Sequence, residues 1–418
     1  MFDNYFIVLK QKNFLFMWGA QVISKFGDRL TRMALIGLAY QIQPQSPLEL
    51  AKMLSLALIP GFIIFPIAGV YVDRWDKRRT LYSCDMIRGV LMVLIPFVFI
   101  KLNSLLIVYL LILLSFGVGK FYTPAKMALV PSLVDNNDLL PANSLLSMTA
   151  MIAVVLGLGL GGVIVEQFGA PAAFVIDAAT FFVSAVLVFF IRLPEKINLP
   201  DNHEGMDTGK RVCLEAKSFV LGDLKSGIRY LFTSPTICYS FKLKIIIFAA
   251  LGTLYPVFIV FAQKALSSVT KDLGWIAICA GIGLFLGSLI YGRVGSRFEV
   301  KITINVSLLL SGIVLLFFAV IVENFPNRVF VFFLSTLFGV ICAPVEIALN
   351  ALIHSESQNS FLGRVFSALD FFPYIAFFVF MFAGSYFAKI TSPFFIIVLT
   401  SMVIIVFSFV NYFFEMEK

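Results

Sequence analysis

The chain has 418 residues, of which 60% are hydrophobic and only 13% charged, and its mean hydropathy is +0.96. A soluble protein of this size needs far more polar surface to cover itself, so the composition is that of a polytopic membrane protein. The excess of 32 Lys and Arg over 24 Asp and Glu, a net charge of +8, falls mostly in loops, which argues against a nucleic-acid partner.

Apolar segments occupy residues 14–40, 50–72, 80–100, 104–129, 143–165, 170–191, 236–262, 272–292, 302–322, 328–350, 364–388 and 393–414. Each reaches the roughly 20 helical residues needed to cross a hydrocarbon core. Twelve spans place both ends on one side. The residues before the first span, Met1–Lys12, lack the charge order and cleavage site of a signal peptide.

The first span carries Gln21, Lys25, Asp28, Arg29 and Arg32, spaced by three and four residues and so on one helix face. A charge this deep costs about 2.5 kcal/mol or more on insertion scales, so these groups must face a bundle interior or a wet cavity. They form either a polar wall of a translocation pathway or a salt-bridge network that locks the span to its neighbours. Three cations around Asp28 favour its ionised form, which argues against it as the carried proton's site. The surplus positive charge suits cargo bearing a carboxylate or phosphate, and Lys120 in the fourth span is expected to add to the cavity.

Between the second and third spans lies Gly69-Val-Tyr-Val-Asp73-Arg74-Trp-Asp76-Lys77-Arg78-Arg79. A short basic loop between two apolar spans reads as cytoplasmic. With it fall Lys10, Lys12, Arg192, Lys196, Lys210, Arg211, Lys217, Lys225, Arg229, Arg293, Arg297, Lys301 and Arg364, whereas Lys52, Lys101, Lys264, Lys271, Arg328 and Lys389 fall opposite. This asymmetry puts both termini in the cytoplasm. Asp85 and Arg88, three apart in the third span, are expected to brace the loop.

The loop closely resembles the one joining helices 2 and 3 in the major facilitator superfamily, a Gly followed four residues on by Asp-Arg and then a basic cluster. The resemblance implies an all-α membrane protein of 12 transmembrane helices in two pseudo-symmetric six-helix bundles that works by alternating access. It also makes the loop a conformational latch: Asp73 is expected to dock on the N-terminus of span 11 near Gly363 and Arg364, where a helix end favours an anion.

The long polar interval after the sixth span divides the chain into residues 1–192, a linker at 193–235 and residues 236–418. The linker's second part has the apolar periodicity of an amphipathic surface helix. The halves repeat: Pro124-Ala-Lys126-Met-Ala128-Leu129 answers Pro344-Val-Glu346-Ile-Ala348-Leu349, as internally duplicated transporters do.

Further stretches resemble one branch of the superfamily, that of macrolide-efflux proteins and the enterobactin exporter. They are Asp85-Met-Ile-Arg88-Gly89, Ala128-Leu-Val-Pro131, Asp177-Ala-Ala-Thr-Phe-Phe, Gly227-Ile-Arg229 and Gly363-Arg364-Val-Phe-Ser367. The branch implies proton-coupled export of small amphipathic molecules and a bacterial-type inner membrane. In span 5, Gly157-Leu158-Gly159-Leu160-Gly161-Gly162 has leucine where the antiporter signature usually has proline. The superfamily's lysophospholipid transporters also lack that proline, and they are the alternative reading.

Candidates for the proton-carrying group are Asp177 in span 6, Glu346 in span 10 and Asp370 in span 11, each isolated among apolar neighbours. The run from Phe371 to Phe378 either lines an apolar pocket or faces lipid. Five scattered cysteines and two histidines give no metal spacing. No nucleophile-and-base pair or phosphate loop appears, so the expectations are no enzyme, no metal and no cofactor. The expected partners are a small-molecule substrate, protons and membrane lipids, with the chain acting as a monomer.

Overall fold

The structure, a computed structural model, describes residues 3–102, 104–192, 235–356 and 362–416. The expected linker helix at 193–235 lies outside the described residues. Among those described every regular element is helical: α1 (Asp3–Lys10), α2 (Lys12–Ile42), α3 (Pro47–Arg74), α4 (Lys77–Phe97), α5 (Leu105–Leu129), α6 (Leu139–Phe189), α7 (Pro235–Leu266), α8 (Lys271–Val294), α9 (Val300–Asn324), α10 (Arg328–Glu356), α11 (Leu362–Ile390) and α12 (Pro393–Met416), with short 3-10 and π turns between some of them.

By length and apolarity alone, 10 of the described helical stretches are fit to cross a membrane. The difference from the twelve expected spans has two physical causes. The helix α2 carries Lys25, Asp28, Arg29 and Arg32 in its middle, too much charge for an apolar window. The helix α6 counts once although its 51 residues contain a break at Gly169, with φ 81 and ψ 165. That conformation is essentially confined to glycine, and Pro171 follows it.

The break lets α6 double back over α2. Along its first limb, Trp18 Nε1 donates to Thr149 Oγ1 at 2.8 Å and Gln21 Nε2 to the Leu146 carbonyl at 3.0 Å. A Cβ on Gly161 would stand 3.2 Å from Leu30 and 3.3 Å from Met33, so contact numbers rise together and this limb runs parallel to α2. On the second limb they run oppositely. Asn13 Nδ2 donates to the Arg192 carbonyl at 2.7 Å, Gly19 faces Leu187 and Thr31 bonds Asp177. Thus α2 is held between two antiparallel limbs of one later segment.

Backbone proximity groups the chain into two compact units, Met1–Leu38 with Met53–Val220, and Ala39–Lys52 with Leu221–Lys418. The turn joining α2 and α3 is therefore grouped with the second unit. In the first unit a helix cap is visible: Asp76 Oδ1 accepts from the Arg79 N–H at 2.6 Å, starting α4. Around it Phe14, Met17, Val72, Leu81, Tyr122 and Leu129 form a buried cluster.

In the second unit α8 packs on α10 and α7 on α11 through small residues. A Cβ on Gly283 would stand 3.0 Å from the Gly339 Cα, a backbone approach that membrane helices use to gain dispersion contacts. Arg328 Nε donates to both oxygens of Asp272, at 3.2 and 3.0 Å. Asn411 Nδ2 donates to Asn305 Oδ1 at 2.6 Å and to the Tyr239 hydroxyl at 2.9 Å. Pro124 and Pro344, matched in the internal repeat, both lie inside helices.

Candidate functional site

In the first unit α2, α4 and α5 enclose a cavity of about 170 Å³, lined by Ser24, Lys25, Asp28, Arg29, Arg32, Arg88, Phe116, Gly119, Lys120, Tyr122 and Thr123. Five of these side chains are cationic and one is a carboxylate. The lining follows from helix geometry. On α2, Lys25, Asp28, Arg29 and Arg32 fall on one face at steps of three and four. On α5, Phe116, Gly119, Lys120 and Thr123 do the same.

Asp28 is the hub of the charge. Arg88 Nη2 donates to its Oδ1 at 2.5 Å and Lys25 Nζ to its Oδ2 at 3.4 Å. The Arg88 guanidinium carbon lies 4.0 Å from the centre of the Phe181 ring, a cation–π contact strengthened by exclusion of water. Two glycines leave room for the cations. A Cβ on Gly119 would stand 3.2 Å from Arg88 Cζ, and one on Gly61 3.4 Å from Lys120 Nζ. Among the described residues neither Arg32 nor Lys120 has an ion-pair partner within 4.0 Å.

The structure thus brings together five of the six residues expected in the cavity: Lys25, Asp28, Arg29, Arg32 and Lys120. Gln21 is not among the lining. It is fully buried, bonds the Leu146 carbonyl, and accepts from Lys126 Nζ at 2.9 Å. Asp85 and Arg88 need correcting too. They do not turn to the basic loop: Asp85 Oδ2 accepts from Ser184 Oγ at 2.6 Å, and Arg88 crosses to Asp28. A buried guanidinium requires a counter-charge, and the nearest one lies on another helix.

The proton candidates separate. Asp177 is fully buried on the second limb of α6. It accepts from Thr31 Oγ1, and from Thr180 Oγ1 at 3.1 Å. Glu346, on α10, is exposed rather than enclosed. Asp370 lies on α11, and its side chain lies outside those described. The same holds for Gly69, Asp73, Gly363 and Arg364, all on helical backbone. Of the remaining loop residues, Arg74 is exposed at the end of α3. Arg78 donates to the Phe189 carbonyl and stands 5.6 Å from that ring's centre. Arg79 helps cap α4 as described. Sequence reasoning missed Ser24, Phe116, Gly119, Tyr122 and Thr123, although Phe116, four before Lys120, and Thr123, three after it, share its helix face.

Residues 17–270, more than half of the chain, match the Major Facilitator Superfamily. The chain belongs to the major facilitator superfamily. This member is 24% identical over 370 residues to the uncharacterized MFS-type transporter YkuC of Bacillus subtilis (strain 168), covering 87% of this chain and 82% of the relative. It is 22% identical over 364 residues to macrolide efflux protein A of Streptococcus pyogenes, covering 85% and 84%. The efflux-type branch indicated by its motifs is therefore supported. The crystal structure of the nucleoside transporter NupG superposes with a TM-score of 0.69 at 12% identity, over 95% of this chain and 98% of that one. That likeness carries the fold alone. The superfamily member is an integral membrane protein of a transporter family.

Proposed function

We propose that the protein is a secondary transporter that exports a small amphipathic compound carrying a negative group, exchanging it for protons by alternating access. The observation that carries this reading is the cavity between α2, α4 and α5, with five basic side chains to one carboxylate. In a low-dielectric enclosure such a surplus is stabilised by an anion far more than by solvent. Its Phe116 wall and the Phe181 ring behind Arg88 add an apolar contact for the rest of the cargo. A relative is named for macrolide efflux, yet a macrolide's basic amine would meet Lys25, Arg29, Arg32 and Lys120 of like sign.

In this reading the chain crosses a bacterial-type inner membrane twelve times, α2 and the two limbs of α6 each counting as spans, with both termini cytoplasmic. Asp177, held between Thr31 and Thr180, is the favoured proton carrier, with Glu346 and Asp370 the alternatives. The monomer suffices.

A binding screen on the purified protein tests the proposal. Enterobactin and lysophosphatidate, both acidic, are expected to bind at least about tenfold more tightly than erythromycin, a difference of about 1.4 kcal/mol. Equal or tighter binding of the basic macrolide would overturn the charge assignment. Preference for lysophosphatidate over the siderophore would turn the reading to lysophospholipid transport.

A further inference from the structure

Beside the charged cavity the first unit holds a second set of polar groups that the proposed cycle does not use. Asp85 of α4 is fully buried. Its Oδ2 accepts from Ser184, while its Oδ1 is buried and has no hydrogen-bond partner. On α5 the Tyr122 hydroxyl is likewise buried without a hydrogen bond. It lies beside the hydroxyls of Ser24 and Ser184 and within the field of Asp85. Tyr122 and Ser24 also line the charged cavity, so this hydroxyl cluster touches both Asp85 and the cavity wall.

Two buried polar atoms without partners in one small region are costly. Arg88, three residues along the same helix, does not neutralise Asp85 by a hydrogen bond, because it gives its Nη2 to Asp28. The groups facing Asp85 are Lys25 and Asp28 from α2, Tyr122 from α5, Ser184 from α6, and Cys84 and Arg88 from its own helix. Among them the hydroxyls are the groups suited to hand on a proton. A protonated Asp85 can donate from Oδ2 to the Ser184 hydroxyl that is already hydrogen-bonded there.

We propose that Asp85 is a proton-binding station of the transport cycle, joined to the charged cavity through the hydroxyls of Ser184, Tyr122 and Ser24. It rests on the proton-exchange reading given above. In the relay, the O–H bond of Asp85 breaks as one forms at the Ser184 oxygen, whose own proton passes to the Tyr122 oxygen, and that of the tyrosine to a water in the cavity. The aspartate is left ionised and the tyrosine unchanged. Reversal reloads the station. Tyr122 and Ser184 are positioning and relay groups, and the station is separate from Asp177.

Infrared difference spectroscopy of the full-length protein in lipid, between acid and alkaline pH and without cargo, tests the station directly. The wild type is expected to show a protonated-carboxyl band that Asp85→Asn loses and Asp177→Asn keeps. Tyr122→Phe, which retains the ring, is expected to shift that band and to slow its appearance after a pH jump at least about tenfold. A band unaffected by Asp85→Asn overturns the station. A band lost in Asp85→Asn but unmoved in frequency and rate by Tyr122→Phe overturns the relay. Export of enterobactin, lysophosphatidate and erythromycin from wild-type vesicles under an imposed pH gradient is measured separately. No gradient-driven flux of any of them, with the Asp85 band behaving as stated, defeats the proton-exchange reading and leaves the station standing.

Discussion

Arg88 of α4 reaches across to Asp28 of α2, its Nη2 2.5 Å from Oδ1, while its guanidinium rests 4.0 Å from the centre of the Phe181 ring on α6. One side chain therefore ties three helices together. Removing either charge strands the other in a dry interior. Arg88→Gln and Asp28→Asn are each expected to destabilise the purified protein by about 3 kcal/mol. The double variant should recover much of that loss. Denaturant titration in detergent gives the cycle, and strictly additive losses would show that the pair is not coupled.

The cations without a local partner should act on cargo. Replacing Arg32 by Gln removes a charge that no carboxylate within 4.0 Å balances among the described residues. Its effect should therefore fall on binding rather than stability. Affinity for lysophosphatidate should drop about tenfold, with less than about a threefold change for the neutral monoacylglycerol of the same chain length. Equal losses for the two, read by calorimetry, would make Arg32 a brace for the bundle.

Glycine at 157 is predicted to be indispensable for packing. A Cβ there would stand 2.7 Å from the Arg29 Cβ, with main-chain atoms close by, so the contact cannot be relieved by a swinging side-chain end. Gly157→Ala should cost about 1–3 kcal/mol by overpacking. Gly292, where an added Cβ meets nothing within 4 Å, is the matched control, and Gly292→Ala should be neutral to mildly stabilising. Comparable thermal-unfolding shifts for the two would contradict the close approach of α2 to α6.

Asp177 and Asp28 should fail in different ways. Asp177→Asn keeps the volume and one of the two hydroxyl donations, the other contact reversing so that Nδ2 donates to the threonine oxygen, but it removes the exchangeable carboxyl. It is expected to abolish pH-gradient-driven export while binding stays within about twofold of wild type. Asp28→Asn should impair binding or assembly first, because Lys25 and Arg88 lose their shared partner. If Asp28→Asn instead removes coupling with binding intact, the proton roles of the two are interchanged.

The family, the helical class and the charged face of α2 were legible from the chain, because hydropathy and the three-and-four spacing of Lys25, Asp28, Arg29 and Arg32 are local properties. Lys120 was found for the same reason, a charge too deep in an apolar helix to be lipid-facing. Arg88 was misplaced because Asp85 lies three residues away and offers a plausible partner on the same helix. Only the crossing of α4 over α2 reveals that Asp28 wins. Gln21 shares a spacing with the cavity residues, yet the first limb of α6 covers it. That covering comes from Leu146, more than a hundred residues along the chain. The hydroxyls of Ser24 and Tyr122 carry no charge pattern, and nothing short of the tertiary structure brings them together.

The doubling of α6 over α2 bears on how the chain enters its membrane. The helix α2 precedes α3 to α6 in the chain and holds the charges that keep it from partitioning into lipid unaided. The surfaces that clasp this helix on its remaining sides, Leu146 and Gly157 on one limb and Asp177 and Leu187 on the other, are synthesised only after three further apolar helices. During biogenesis α2 must therefore wait, sheltered by the insertion machinery or at the interface, until residues 139–189 arrive to clasp it. Glycosylation mapping of nascent chains should find α2 unintegrated in those stopped before the second limb, and stably integrated in those that extend beyond it.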